Sequence, residues 1–481
     1  MSYSGLRETL AAAGYAKVLV SLKASENATA ATFVPPARRA PKADTNAVES
    51  ALMNYFIIPS QAQSENLAAA AARSASRRFR RAEPLSTRRM RVYPHLGLAT
   101  GYVDVSGAAA LAANSRVSSV ELAPELSLIR PIDARPVKAK KLTSWGIKRL
   151  EIERLWEAGY LGNGIAVGHL DTGIDGSHTA LRGAIKAFAE FDMAGDRVPN
   201  AKPWDSGEHG THTAGTIAGR PGPKGVFGVA PGAQLISGMV IEGGQVIDRI
   251  LAGMDWIVEE QCRILSMSLG IRGFTPAFQT VIDALRAAGV LPVIAVGNEG
   301  PLTSRSPGNY ANVVSVGAID ETGRVADFSS SQRFNRESDP LVPDLVAPGV
   351  GVVSCIPGEA YAEMDGTSMA TPHVAGIAAL LLQAKFDATV DELERAIFAS
   401  CRRPATAPEA RANRGIPNAV LAFTLLTGGN LPVASARASV RRKRAASRKK
   451  LRTRADTGKR VVKRLAARRS APKKSTDRRS P

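Results

Sequence analysis

Between residues 143 and 429, short unbroken apolar runs alternate with stretches whose apolar residues recur at helical spacing. The runs 165–170, 234–240, 263–267, 290–296 and 313–316 read as buried strands. Between them, 246–260 places Ile247, Ile250, Leu251, Met254 and Ile257 on one side of a helix. A second helix is expected over 276–288, and a third over 368–384 is so nearly all apolar that it must be buried. This order predicts an α/β unit, a mostly parallel sheet with helices on both faces. Such sheets bind ligands beyond the carboxyl ends of their strands, and the polar residues that stand out in this segment fall there.

The flanks carry different patterns. In 1–123, a strand at 16–22 precedes a helix at 46–57 with Val48, Leu52, Tyr55 and Phe56 on one side. Strands at 102–105 and 117–122 then bracket a helix at 107–114, which makes a separate small α+β unit. The Ala-, Ser- and Arg-rich stretch 59–89 has little periodicity and reads as a loop. Three prolines and a basic end in 123–141 suit an exposed linker, placed at 124–142. From residue 430 no aromatic occurs and the apolar pattern fades. The tail 430–481 is therefore expected to be disordered, unable to bury enough surface to offset its ordering entropy.

A chain of 481 residues exceeds what one core usually supports, which agrees with several units. Its net charge of +20 is unevenly spread: about +9 over 1–140, −7 over 141–429 and +18 over 430–481. No apolar run reaches membrane-spanning length, so no membrane partner is expected. The first twenty residues lack a basic start, a continuous apolar stretch and a small-residue cleavage site, so they do not read as a signal peptide. This favours the cytoplasm and leaves secretion by another route open. Cys262, Cys355 and Cys401 are too few and too scattered for a disulfide framework or a Cys-based metal site.

Four segments carry candidate chemistry. IAVGHLDTGID (165–175) is a strand ending in Asp171 before a glycine turn, and EHGTHTAGTIAG (208–219) puts His209 at a helix start. VIAVGNEG (293–300) delivers Asn298 to a loop, and GTSMATPHVAG (366–376) puts Ser368 at the mouth of the buried helix. A serine hydroxyl attacks well only when a neighbouring imidazole removes its proton. The imidazole needs a carboxylate to fix its tautomer and stabilise its cation. The oxyanion that forms needs donors, which the helix-start N–H of Ser368 and the Asn298 amide can supply. Alone, a DTG or GTS is more often a turn or a cap. The four together, in order and context, are specific.

The segment 143–426 strongly resembles the subtilisin-like serine peptidases, with supporting stretches SMSLG (266–270), SPGNYANVVSVGA (306–318) and PDLVAPG (343–349). The resemblance implies a serine endopeptidase acting on polypeptides, in which Asp171 orients, His209 is general base and acid, Ser368 attacks and Asn298 stabilises the oxyanion. It implies that Ser268, Leu269 and Gly270 and, opposite them, Glu242, Gly243 and Gly244 pair with an extended substrate. Ala295, Val296 and Gly297, with 268–270, would wall an uncharged specificity pocket. His212 and His373 are expected to be structural, and His169 replaces an aliphatic residue usual in the family.

Residues 1–123 resemble, less strongly, the family's ferredoxin-like inhibitory propeptide, through GYVDVSGAAALAANSRVSSVELAPELSLIRP (101–131). That implies an intramolecular inhibitor, removed by self-cleavage within about 129–143. Many subtilases hold calcium in the loop before the motif matched by GVFGVAP (225–231). Here 220–227 contains no Asp, Glu, Asn or Gln, so no metal or other cofactor is expected. The tail, with RRKR (441–444) and RKK (448–450), suits a nucleic acid or another polyanion as partner, or a solvated extension.

Overall fold

The computed structural model describes residues 2–23, 44–58, 88–137, 142–222, 225–241 and 246–432. The tail beyond 432, most of the 59–89 loop, and Glu242, Gly243 and Gly244 lie outside the described residues.

Seven parallel strands form the central sheet, in spatial order Leu345–Pro348 (β15), Val314–Ile319 (β14), Leu291–Ala295 (β12), Ile264–Met267 (β10), Ala166–Asp171 (β7), Gln234–Met239 (β9) and Ile185–Glu190 (β8). The interior strands are buried on both faces because helices cover both. Leu170, Ile236, Leu265 and Ile294 share one buried cluster with Ile247–Glu259 (α5) and Gln279–Ala287 (α6). Thr367–Ala384 (α7) packs on β10, β12 and β14, and on His209–Ala218 (α4). The expected helix at 276–288 begins as a 3₁₀ turn, Pro276–Phe278, before α6. Thr275 caps that turn through its side chain and proline suits its start.

The N-terminal part has its own four-stranded antiparallel sheet, in the order Met90–Tyr93 (β2), Leu98–Val103 (β3), Ala16–Leu22 (β1), Val117–Leu122 (β4). With Thr45–Leu52 (α2) after β1 and Val105–Ala113 (α3) after β3, the connectivity is that of a split βαβ, ferredoxin-like unit. The strand expected at 102–105 in fact spans β3. It ends at Val103 because Asp104 caps α3, accepting a hydrogen bond from Gly107 N at 2.7 Å. A helix absent from the sequence reading, Ser2–Ala13 (α1), buries Leu6 and Leu10. The helix expected over 46–57 stops at Leu52 and continues as a 3₁₀ turn.

This small sheet buries both faces, and the period of two along β1 separates them. Val18 and Val20 join the unit's own core with Leu52, Phe56 and Leu111. Leu19 points the other way and, with Tyr93, Leu96 and Leu98, enters the cluster that contains α5. Polar anchors reinforce that contact. Asp248 in α5 accepts from Tyr93 Oη (2.9 Å) and Thr100 Oγ1 (2.7 Å) and pairs with Lys17. Two turns on, Asp255 accepts from the backbone N–H groups of His95 and Leu96 at 2.7 and 3.1 Å. Arg91 reaches Asp196 at 2.7 Å.

The segment read as an exposed linker does something else. Ser127–Leu128 (β5) pairs antiparallel with Leu269–Arg272 (β11), and Asp133–Pro136 (β6) pairs antiparallel with Ala360–Asp365 (β16). Leu126 and Ile129 are buried, whereas β6 is exposed. The prolines suggested a solvated connection, but Leu126 and Leu128 pack on the cluster that contains α5 and Ile129 is buried.

Candidate active site

The four chemical segments meet at the carboxyl end of the central sheet. Asp171 is the last residue of β7, His209 the first of α4, and Ser368 the second of α7. Asn298 lies on the loop that follows β12. All three triad candidates are buried.

His209 Nδ1 lies 2.7 Å from Asp171 Oδ1. The other carboxylate oxygen accepts from Thr213 Oγ1 at 3.1 Å, and Thr172 N donates to Oδ1 at 2.7 Å. Burial alone would raise the Asp171 carboxyl. The neighbouring His209 imidazole and the Thr172 N–H outweigh it and hold the group below the usual carboxylate range. Asp171 therefore stays ionised at neutral pH, ready to stabilise an imidazolium.

The start of α4 is built to come very close to the Asp171 turn. A Cβ on Gly210 would stand 2.0 Å from Gly173 O, so only glycine fits after His209. Asp205, which belongs to none of the four motifs, clamps the two segments. Its Oδ1 accepts from Thr172 Oγ1 (2.7 Å), and its Oδ2 from Thr211 N (2.7 Å) and Thr211 Oγ1 (2.6 Å). Nothing but its place four residues before His209 marks it in the sequence.

His169 also belongs to this network. Its Nε2 is 2.9 Å from Thr213 Oγ1 and its Nδ1 3.0 Å from Ser237 Oγ. Burial lowers its pKa, so it is neutral. When Thr213 donates to Asp171, its oxygen must accept from His169 Nε2–H, which leaves Nδ1 to accept from Ser237. His212 and His373 are buried and lowered to about 3 and about 4 by desolvation, and each lies against backbone carbonyl oxygen.

Ser368 Oγ donates to Ile129 O at 2.7 Å rather than to His209. His209 Nε2 is buried without a hydrogen-bond partner among the described residues. The chain itself occupies the cleft: Ile129 N donates to Ser268 O at 3.0 Å, and Leu128 and Ser127 stand opposite Leu269 and Gly270. Past the serine, Ile132 N donates to Asp365 O at 2.8 Å. Asn298 Nδ2 donates to Arg130 O at 2.9 Å, while its Oδ1 accepts from Thr367 N (2.9 Å) and Thr367 Oγ1 (2.8 Å).

Ala295, Val296 and Gly297, expected to wall a specificity pocket, are buried at the end of β12. Charge lies directly behind them. A Cβ on Gly297 would meet Glu299 Oε2 at 2.8 Å and Arg305 Cγ at 3.2 Å, and Glu299 and Arg305 form an ion pair. Among the described residues no group of three or more His, Cys, Asp or Glu could hold a metal ion. None of their helices is long and apolar enough to cross a membrane. The three cysteines are buried and free, with thiols pushed up to about 12 by desolvation.

A carboxylate, an imidazole and a hydroxyl brought together at the carboxyl end of a parallel sheet, with a side-chain amide beside the hydroxyl, define the subtilisin-type architecture. Residues 162–420 match the family model described as the subtilase family, and the chain belongs to that family. Alkaline elastase YaB of Bacillus sp. (strain YaB) is 39% identical over 269 residues, 56% of this chain and 66% of that protein. M-protease of Shouchella clausii (strain KSM-K16) is 37% identical over 270 residues, covering 56% and 66%. Subtilisin E of Bacillus subtilis (strain 168) is 37% identical over 246 residues, covering 50% and 60%. The chain thus spans just under two thirds of the length of the relatives it matches.

Proposed function

We propose that the protein is a serine endopeptidase that hydrolyses polypeptides through Asp171, His209 and Ser368, and that its first substrate is its own bond Ile129–Arg130. The observation that carries this reading is the extended segment around Ile129, whose carbonyl oxygen sits 2.7 Å from Ser368 Oγ beside the Asp171–His209 pair. Ser368 Oγ attacks the Ile129 carbonyl carbon as its proton passes to His209 Nε2. The C–N bond then breaks and His209 returns the proton to the Arg130 amine, leaving an acyl-enzyme that water hydrolyses by the same route. The Ser368 backbone N–H and the Asn298 amide serve the oxyanion, the amide moving back by one carbonyl from Arg130 O.

A cut one bond later, Arg130–Pro131, is favoured by the Asn298 contact and by Ile132 N on Asp365 O. Pairing with Ser268 and the Ser368 contact favour the earlier bond. Mass spectrometry of the purified protein separates them: a new terminus at Arg130 is expected, and one at Pro131 shifts the assignment by a residue. A fluorophosphonate probe tests the chemistry itself. Labelling at Ser368 is expected, and its absence in processed protein would identify a peptidase-like scaffold without activity.

On this reading the N-terminal part is an inhibitory propeptide, held by the Asp248 and Asp255 anchors and by the strand in the cleft. The released fragment, added to mature enzyme, is expected to inhibit it. Asp248→Asn leaves Lys17 without its charge partner and weakens the acceptor for Tyr93 and Thr100. The inhibition constant should rise by about tenfold or more, measured by steady-state titration. An unchanged constant would mean that docking rests on the apolar face, the Asp255 anchor and the paired strand without help from Asp248.

A further inference from the structure

The strand pairing that holds β5 against β11 continues into a third strand, Arg305–Ser306 (β13), on the far side of β11. Arg305 stands on β13, two strands from the bound segment, yet its guanidinium reaches it. Nη1 donates to Ser127 Oγ at 3.0 Å and to Gly270 O at 3.3 Å. The path is open because Gly270 has no side chain. A Cβ there would stand 3.1 Å from Arg305 Cβ and 2.8 Å from Ser306 O.

The guanidinium is not free to swing elsewhere. Its side chain is buried, Nε donates to Glu299 Oε1 at 2.9 Å, and Nη2 pairs with the same oxygen. Glu299 is itself fixed, since its Oε2 accepts from Asn298 N at 3.1 Å. One side of the guanidinium is thus spent on the carboxylate, and Nη1 has two hydrogens for two acceptors, the Gly270 carbonyl and the side chain at position 127. Arg272 adds a second positive charge, 3.5 Å from Glu299. Around position 127, then, one carboxylate is shared between two guanidinium groups, and the group aimed at the bound side chain can only donate.

Ser127 is the third residue before the bond at Ile129–Arg130, and its hydroxyl stands in for the corresponding side chain of any polypeptide laid along β11. We propose that Arg305 is a specificity-determining residue that reads this third position, selecting side chains that offer an oxygen acceptor (Ser, Thr, Asp or Asn) and rejecting Lys and Arg. The inference rests on the endopeptidase reading above. Its physical basis is the strength of a charge-assisted hydrogen bond and the cost of pressing a second cation against a fixed one.

The test uses the processed enzyme and peptides that share one sequence and differ only at the third position before the cut, as Asp, Ser, Ala or Lys. The kcat/KM for Asp and Ser is expected to exceed that for Ala by about threefold to tenfold, and that for Lys by about tenfold or more. Raising the salt concentration should narrow the Asp-to-Lys ratio, because the site is open to solvent at the position of Ser127. In the double variant Arg305→Ala, Glu299→Gln, which leaves no buried charge unpaired, the four values are expected to fall within about twofold of one another whatever their absolute size. Should that variant not fold, the full-length chain supplies the same comparison: Ser127→Lys should slow the cut at Ile129–Arg130 by about tenfold, and Ser127→Asp should not. A flat profile in the unaltered enzyme, with peptides cleaved and Ser368 labelled, overturns the role of Arg305 alone. Failure to cleave any peptide or to label Ser368 overturns both readings.

Discussion

Ser368→Ala is expected to abolish hydrolysis of added peptides and to leave the chain uncut at Ile129–Arg130. The loss in kcat should approach about six orders of magnitude, the scale established for removing the nucleophile in subtilisins. Folding should survive. The hydroxyl makes one hydrogen bond in the structure, to Ile129 O, and such a bond contributes about 1 kcal/mol net. A full-length mass, a thermal midpoint within a few degrees of the parent and no fluorophosphonate adduct are the combined expectation. Residual turnover near the parent rate would remove Ser368 from the chemistry.

Asn298 offers two groups that one substitution would remove together. Its Nδ2 is the donor available to an oxyanion, while Oδ1 receives both the N–H and the hydroxyl of Thr367, the residue before the nucleophile. Asn298→Leu deletes both and should lower kcat by about two to three orders of magnitude, the loss known for deleting this kind of donor in subtilisins. Asn298→Asp keeps an oxygen for Thr367 but puts a second oxygen, and a charge, where the donor stood. It should lower kcat at least as far, with KM changed little. If Asn298→Asp were nearly as active as the parent, the side chain would act by holding Thr367 and not by stabilising negative charge. A variant that mainly raised KM would make Asn298 a ground-state binding residue.

How much of this the sequence could disclose depended on the range over which each feature is encoded. β7, β9, β10 and β12 and the buried α7 are local patterns, and their ends fell within a residue or two of expectation. Asp171, His209 and Ser368 each sit where a strand ends or a helix begins, and Asn298 follows a strand by three residues, so a short motif carries both the residue and its setting. Asp205 and Arg305 have no such signature. Asp205 matters because two threonines from separate segments converge on it. Arg305 matters because Gly270 leaves a gap two strands away. Both relations exist only after the chain has folded. The segment after residue 123 misled for the opposite reason, since its prolines are a strong local signal while its apolar anchors need a cleft supplied by distant sequence.

The same polypeptide runs unbroken from the docked N-terminal sheet, along β11, past Ser368 and out along β16. An enzyme and a scissile bond joined in this way meet without diffusion, so the rate of the first cut should not change on dilution. On the proposed self-cleavage, the Asp248 and Asp255 anchors would stay in place, since they lie on α5 and are reached from β1, β2 and β3 and the turn between β2 and β3. Activity toward other chains should therefore begin only after a lag set by departure of the severed piece. The fold would act as a clock with two hands, a fast one that ignores concentration and a slow one set by how firmly those anchors hold.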